Sequence, residues 1–144
     1  MTIAAILKHK GHNVITIDQM ATVPEIAERL AEHRIGAVLV MDRADQVLGI
    51  VSERDIVRSV ATNGARTLEM TAGQLMTRAV HTAHPEMTVE DAMRKMTIGR
   101  IRHLPVMQNN TIVGMVSIGD VVKSRIMRQD AEVDSLRAYI GGAA

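Results

Sequence analysis

Two stretches of the chain carry the same alternation of apolar and polar positions. Apolar residues at 23, 26, 27, 30 and 31 recur at the spacing of one helix face, and those at 89, 92, 93 and 96 repeat it. Each run opens on a threonine. Thr22-Val23-Pro24-Glu25 has the form of a capping box, with Pro24 in the first turn, where a missing amide costs little. Thr88 stands three residues before Asp91 in the second run. After each helix comes an apolar run (Ala37–Met41 and Leu104–Met107), a short polar loop and a second β-branched run (Val47–Val51 and Ile112–Val116). That sequence predicts a hairpin of buried strands. Second helices open at Ser52 and Ser117, with Ile56, Val57 and Val60 matched by Val121, Val122 and Ile126.

The correspondence extends to letters. An offset of 66 carries Val14 and Thr16 onto Val80 and Thr82, Thr22-Val23 onto Thr88-Val89, and Arg34-Ile35 onto Arg100-Ile101. After one residue is lost in a loop, Gly49, Val51, Ser52 and Asp55 fall on Gly114, Val116, Ser117 and Asp120. The chain therefore reads as an α+β fold of two βαββα repeats. A repeat of this size buries little surface alone, so the two are expected to pack through their sheets. The division is 1–62 for the first repeat with its N-terminal segment, 63–73 for a connector and 74–124 for the second repeat. A C-terminal helical extension, 125–144, has apolar positions 126, 133, 136, 139 and 140 and is expected to end at Gly141-Gly142.

Composition narrows the function. Seventeen basic and sixteen acidic residues leave a net charge of +1, no field to draw the chain onto nucleic acid or anionic lipid. No apolar run approaches a membrane span, and a cytoplasmic location is the expectation. There is no Phe or Trp and a single Tyr, against 11 Met, so a bound ring would lie between aliphatic groups rather than on stacked aromatics. Cysteine is absent, which removes thiolate chemistry. His9/His12 and His81/His84 form close pairs, but without cysteine or an acidic third ligand they read as loop histidines, and no metal site is expected. No P-loop, nucleophile elbow or Gly-x-Gly-x-x-Gly occurs, so no catalytic residue and no catalytic cofactor are assigned.

Both repeats close on one frame, GIVSERD at 49–55 and GMVSIGD at 114–120. Ser-x-x-Asp at a helix start is sufficiently explained as a cap. The same geometry also offers free amides and a positive dipole end to a phosphate, and a carboxylate to the paired hydroxyls of a ribose.

With these motifs in order, the span from about 14 to 124 resembles a tandem pair of CBS domains, the Bateman module. The resemblance rests on the duplicated Val-x-Thr starts, the Thr-Val caps, Arg102-His103-Leu104-Pro105-Val106 and the two Ser-x-x-Asp endings. It implies sheets packed face to face and a cleft for AMP, ADP, ATP, NAD(H) or S-adenosylmethionine. It assigns Asp55 and Asp120 to ribose, with Ser52 and Ser117 beside them, and Thr16 and Thr82 to the ligand as well. Arg102 and His103, with Arg54, would meet phosphate. The adenine wall would come from around Ile35, Ala37 and Val38, from Ile50 and Val51, and from Met115 and Val116, with Gly36, Leu104 and Pro105 also among the ligand-binding positions. The first repeat has Gly36-Ala37 where the second has Arg102-His103, and Leu39 where it has Pro105, so the two sites are not chemically equivalent. The implied function is a regulatory nucleotide sensor acting in trans on a protein partner. The apolar stripe of the last helix reads either as closing the core of the monomer or as a homodimer contact, and the second is the expectation. The alternative is a ligand-free structural or dimerisation module.

Overall fold

The computed structural model describes residues 1–143, and the final residue of the expected extension, Ala144, lies outside them. The chain forms two compact units that do not follow the linear order of the repeats. One is Asn13–His81; the other joins Met1–His12 to Thr82–Ala144.

In Asn13–His81, strand β1 (Thr16–Asp18) pairs parallel with β2 (Ala37–Met41), which pairs antiparallel with β3 (Val47–Ser52). Between β1 and β2 runs α2 (Val23–His33), preceding α3 (Glu53–Asn63) in the chain. The capping box read at Thr22 is present: Glu25 N–H donates to Thr22 Oγ1, and Thr22 N–H donates to the Glu25 carboxylate. Val23, Ile26 and Leu30 are the buried face of α2, packed on Val38, Val40 and Val51. The connector is more ordered than a loop. It forms a 3-10 turn at Gly64–Glu69 and a short helix, α4 (Ala72–Leu75), whose Ala72 enters this core.

The second unit repeats the plan with α5 (Val89–Gly99), β4 (His103–Gln108) and β5 (Thr111–Ser117). Its counterpart of β1 shrinks to one bridge, Ala83 to Val106. The cause is Pro105. Its match in the first repeat, Leu39, donates its N–H to Ile15 O at 3.2 Å, and proline has no N–H to give. What the sequence did not announce is a helix at the N-terminus, α1 (Ile3–Lys10), which buries Ile3, Ile6 and Leu7 against Leu104, Val106 and Val116.

Helices α1 and α4 play the same part in the two units. Thr2 bridges Thr88 as Thr71 bridges Thr22. Ile3 and Ala4 donate N–H groups to Met87 O and Pro85 O, while Ala72 and Gly73 donate theirs to Ala21 O and Gln19 O. The N-terminal segment, adjacent in sequence to the first repeat, thus completes the second, and the connector completes the first.

The last helix, α6 (Ile118–Ala143), runs through Gly141-Gly142 rather than stopping at them. Val121 and Ser124 are buried, whereas Ile126, Val133, Leu136, Tyr139 and Ile140 are exposed by 47–75%.

Candidate functional site

In each unit the expected residues gather where the hairpin ends and the second helix begins. β3 delivers Ser52 opposite Ala37, and β5 delivers Ser117 opposite His103. Both serines have extended or strand backbone and hand the chain directly to a helix, whose first-turn amides need partners from outside the helix.

Both ends are complete capping boxes. Asp55 N–H donates to Ser52 Oγ at 3.3 Å, and Ser52 N–H and Oγ–H donate to Asp55 Oδ2 at 2.8 and 3.1 Å. At the other end, Asp120 N–H donates to Ser117 Oγ at 3.2 Å, and Ser117 returns bonds to Asp120 Oδ2 at 2.8 and 3.0 Å. The cap engages one carboxylate oxygen in each case.

The carbonyl before each hairpin is tied to the same helix start. Glu53 N–H donates to Gly36 O at 2.9 Å, and Ile118 N–H to Arg102 O at 2.8 Å. This fixes Gly36-Ala37 and Arg102-His103 beside their capping boxes. Arg102 is exposed and His103 half-buried in one unit, while Arg54 stands exposed on the first turn of α3 in the other. Thr16 is half-buried opposite Leu39 on β2. Thr82, also half-buried, has its carbonyl taken by Lys95 Nζ.

The adenine wall needs one correction. The side chains of Val38, Val51, Leu104 and Val116 are 0% exposed and belong to the two cores, because alternate strand positions face inward. These four can offer a ligand backbone only. Pro105 and Ala37 are buried as well, which leaves Ile35, Gly36, Ile50 and Met115 half-buried at the edge.

Lys10 is the residue that sequence reasoning missed. Its Nζ donates to Asp120 Oδ2 at 2.7 Å and to Met115 O at 2.8 Å, so the end of α1 clamps the second site. Burial works to raise the Asp120 carboxyl, but the bond from Lys10 and those from Ser117 overcome it and hold the group below its ordinary value. By the offset of 69 that carries Thr2 onto Thr71, the position matching Lys10 is Ala79, which brings no charge to Asp55. The asymmetry read from Gly36-Ala37 and Arg102-His103 therefore has a second component.

A cleft of about 560 Å³ in the unit Asn13–His81 touches the expected residues only at Thr16. Asp18, Glu25, Glu28, Glu32, Asp42 and Asp45 line it with one basic group, Arg29, and that surplus of carboxylates repels a phosphate. Among the described residues, no group of three or more His, Asp or Glu is placed to hold a metal ion, and no helix is long and apolar enough to cross a membrane.

The CBS-domain family model matches residues 7–62 and 72–126. A mitochondrial CBS-domain-containing protein of Arabidopsis thaliana is 35% identical over 98% of this chain and 72% of its own length. The crystal structure of a CBS-domain-containing protein of Agrobacterium tumefaciens superposes with a TM-score of 0.85 at 41% identity, covering 86% of this chain and 92% of that one. A CBS-domain protein of Pyrobaculum aerophilum, solved in complex with AMP, is similar with a TM-score of 0.73 at 29% identity, covering 83% and 89%. With two matched repeats and relatives of the same build, this chain belongs to the CBS-domain family as a tandem CBS pair.

Proposed function

We propose that this CBS pair is a non-catalytic sensor of an adenine nucleotide, AMP, ADP, ATP or NAD(H), that regulates a partner in trans. One observation carries the reading. At both Ser-x-x-Asp helix starts the cap bonds run to one carboxylate oxygen, Oδ2, so each repeat places a carboxylate with two acceptor oxygens at the end of its hairpin, the chemistry that pairs with ribose hydroxyls. The AMP complex of the Pyrobaculum relative supports an adenosine ligand. In one unit Arg102 and His103 supply the cationic side for phosphate and the half-buried Met115 an apolar contact; in the other, the half-buried Ile35, Gly36 and Ile50 supply the apolar contact for a ring, in a chain without Phe or Trp. A ligand moves such a protein only by binding one arrangement better than another.

The test is a thermal-shift and calorimetry panel with AMP, ADP, ATP, NAD and S-adenosylmethionine on the wild-type chain and on Asp120→Ala. A ligand that binds only the folded chain raises Tm by mass action, by about 2.7 kcal/mol of stabilisation at a hundredfold excess over Kd. Asp120→Ala is expected to lose the larger part of the affinity, with about 1 kcal/mol of stability lost with the cap. A flat panel on the wild type would favour the ligand-free dimerisation module instead. Wild-type affinity in Asp120→Ala would remove Asp120 from the site.

A further inference from the structure

Five of the exposed apolar residues of α6, Met127 and Tyr139 apart, fall with Gln129 at alternating spacings of four and three. Val122, Ile126, Gln129, Val133, Leu136 and Ile140 form one continuous seam. In heptad terms, Ile126, Val133 and Ile140 occupy a, and Val122, Gln129 and Leu136 occupy d. The seam lies to one side of the face that packs on the chain's own core. That face carries the buried Val121 and Ser124, with Arg125 and Arg128 paired to Glu90 of α5 at 2.8 and 3.4 Å. Beyond Ser124 every described side chain of the helix is exposed. β-branched residues at every a with Leu136 at d match the preference of a two-stranded parallel pair.

The flanking charges choose the occupant and its direction. Positions g are Arg125, Glu132 and Tyr139, and positions e are Lys123, Asp130 and Arg137. In a parallel pair, each g meets the e five residues on in the other helix, which matches Arg125 with Asp130 and Glu132 with Arg137, twice each by symmetry. In the antiparallel register that overlaps the whole seam, Asp130 would meet Asp130, Glu132 would meet Glu132 and Lys123 would meet Arg137, all of like sign, and slipping by a heptad to relieve this leaves Val122, or Leu136 and Ile140, without a seam partner. We propose that α6 is the dimerisation element and that its occupant is α6 of a second copy, parallel and in register. Gln129 is the one polar seam residue, facing its own copy and fixing that register.

The native chain has no cysteine, so a single Gln129→Cys gives a clean geometric readout. In the full-length protein it should oxidise to a disulfide-linked dimer, because only the parallel in-register pair sets residue 129 against itself. Sedimentation equilibrium of the wild type should show a dimer. Val133→Asp and Leu136→Asp, at side chains exposed by 47 and 59% and therefore compatible with an unchanged circular dichroism spectrum, should make it monomeric. Glu132→Arg should weaken the dimer roughly tenfold, and Glu132→Arg with Arg137→Glu should restore it. A monomeric wild type, a dimer indifferent to Val133→Asp and Leu136→Asp, or failure of Gln129→Cys to cross-link would each overturn the proposal.

Discussion

Lys10 shows how much one side chain can add to a motif. The Ser117-Asp120 cap is local and would form in any helix with that start, but Lys10 ties it to a helix more than a hundred residues away. Because the Asp120 carboxyl is held below its ordinary value in the folded chain, its stabilisation is fully present above the normal carboxylate range. It is lost as pH falls through the lowered pKa. Urea midpoints measured from neutral to acid pH should therefore decline less steeply in Lys10→Met than in the wild type. At neutral pH the variant should lose up to about 1 kcal/mol, since the pair is only partly buried. Parallel acid limbs for the two proteins would show that Lys10 is a bystander.

Among the elements, the paired glycines differ in a way their identical sequence positions hide. A Cβ on Gly49 would lie 2.6 Å from the backbone oxygen of Thr77, whereas one on Gly114 would lie 2.6 Å from the Leu7 side chain. A leucine can turn aside and a backbone carbonyl cannot. Gly49→Ala should cost more than Gly114→Ala, with values of about 1–3 kcal/mol from overpacking, and denaturant melts would reveal a reversed order. The same contrast explains what was legible beforehand. The caps at Thr22, Ser52 and Ser117 and the strands of both hairpins are set by neighbours within a few residues, so the sequence displayed them. Helices α1 and α4 take their meaning from distant partners, and their offset of 69 breaks the 66-residue register that revealed the repeat. Thr2 with Thr71, and the apolar matches of Ile3, Ile6 and Leu7 with Ala72, Leu75 and Met76, were the hints of it. The site was legible as a list of residues, but which side chains face the cores followed only from the strand registers.

At the scale of the molecule, the exchange of terminal segments makes Met1–His12 part of the core around Leu104 and Val116. Removing it exposes the cavity left by Ile3, Ile6 and Leu7, each worth about 1.5–3 kcal/mol of burial. A chain beginning at Asn13 should lose amide-exchange protection in α5, β4 and β5. Full protection there would mean that α1 merely decorates the surface. The exchange also sets an order of events during synthesis. Asn13–His81 possesses all its strands, helices and connector before β4 exists, whereas the partners of α1, from Pro85 and Met87 through α5 and β4 to Val116, are all made later. Joining Leu7 to Gly114 closes a loop whose entropy is about 4 kcal/mol if the intervening chain is slack, and less once the middle unit has already shortened it. Helix α1 thus waits, after its own synthesis, for more than seventy residues to follow before its first partners exist.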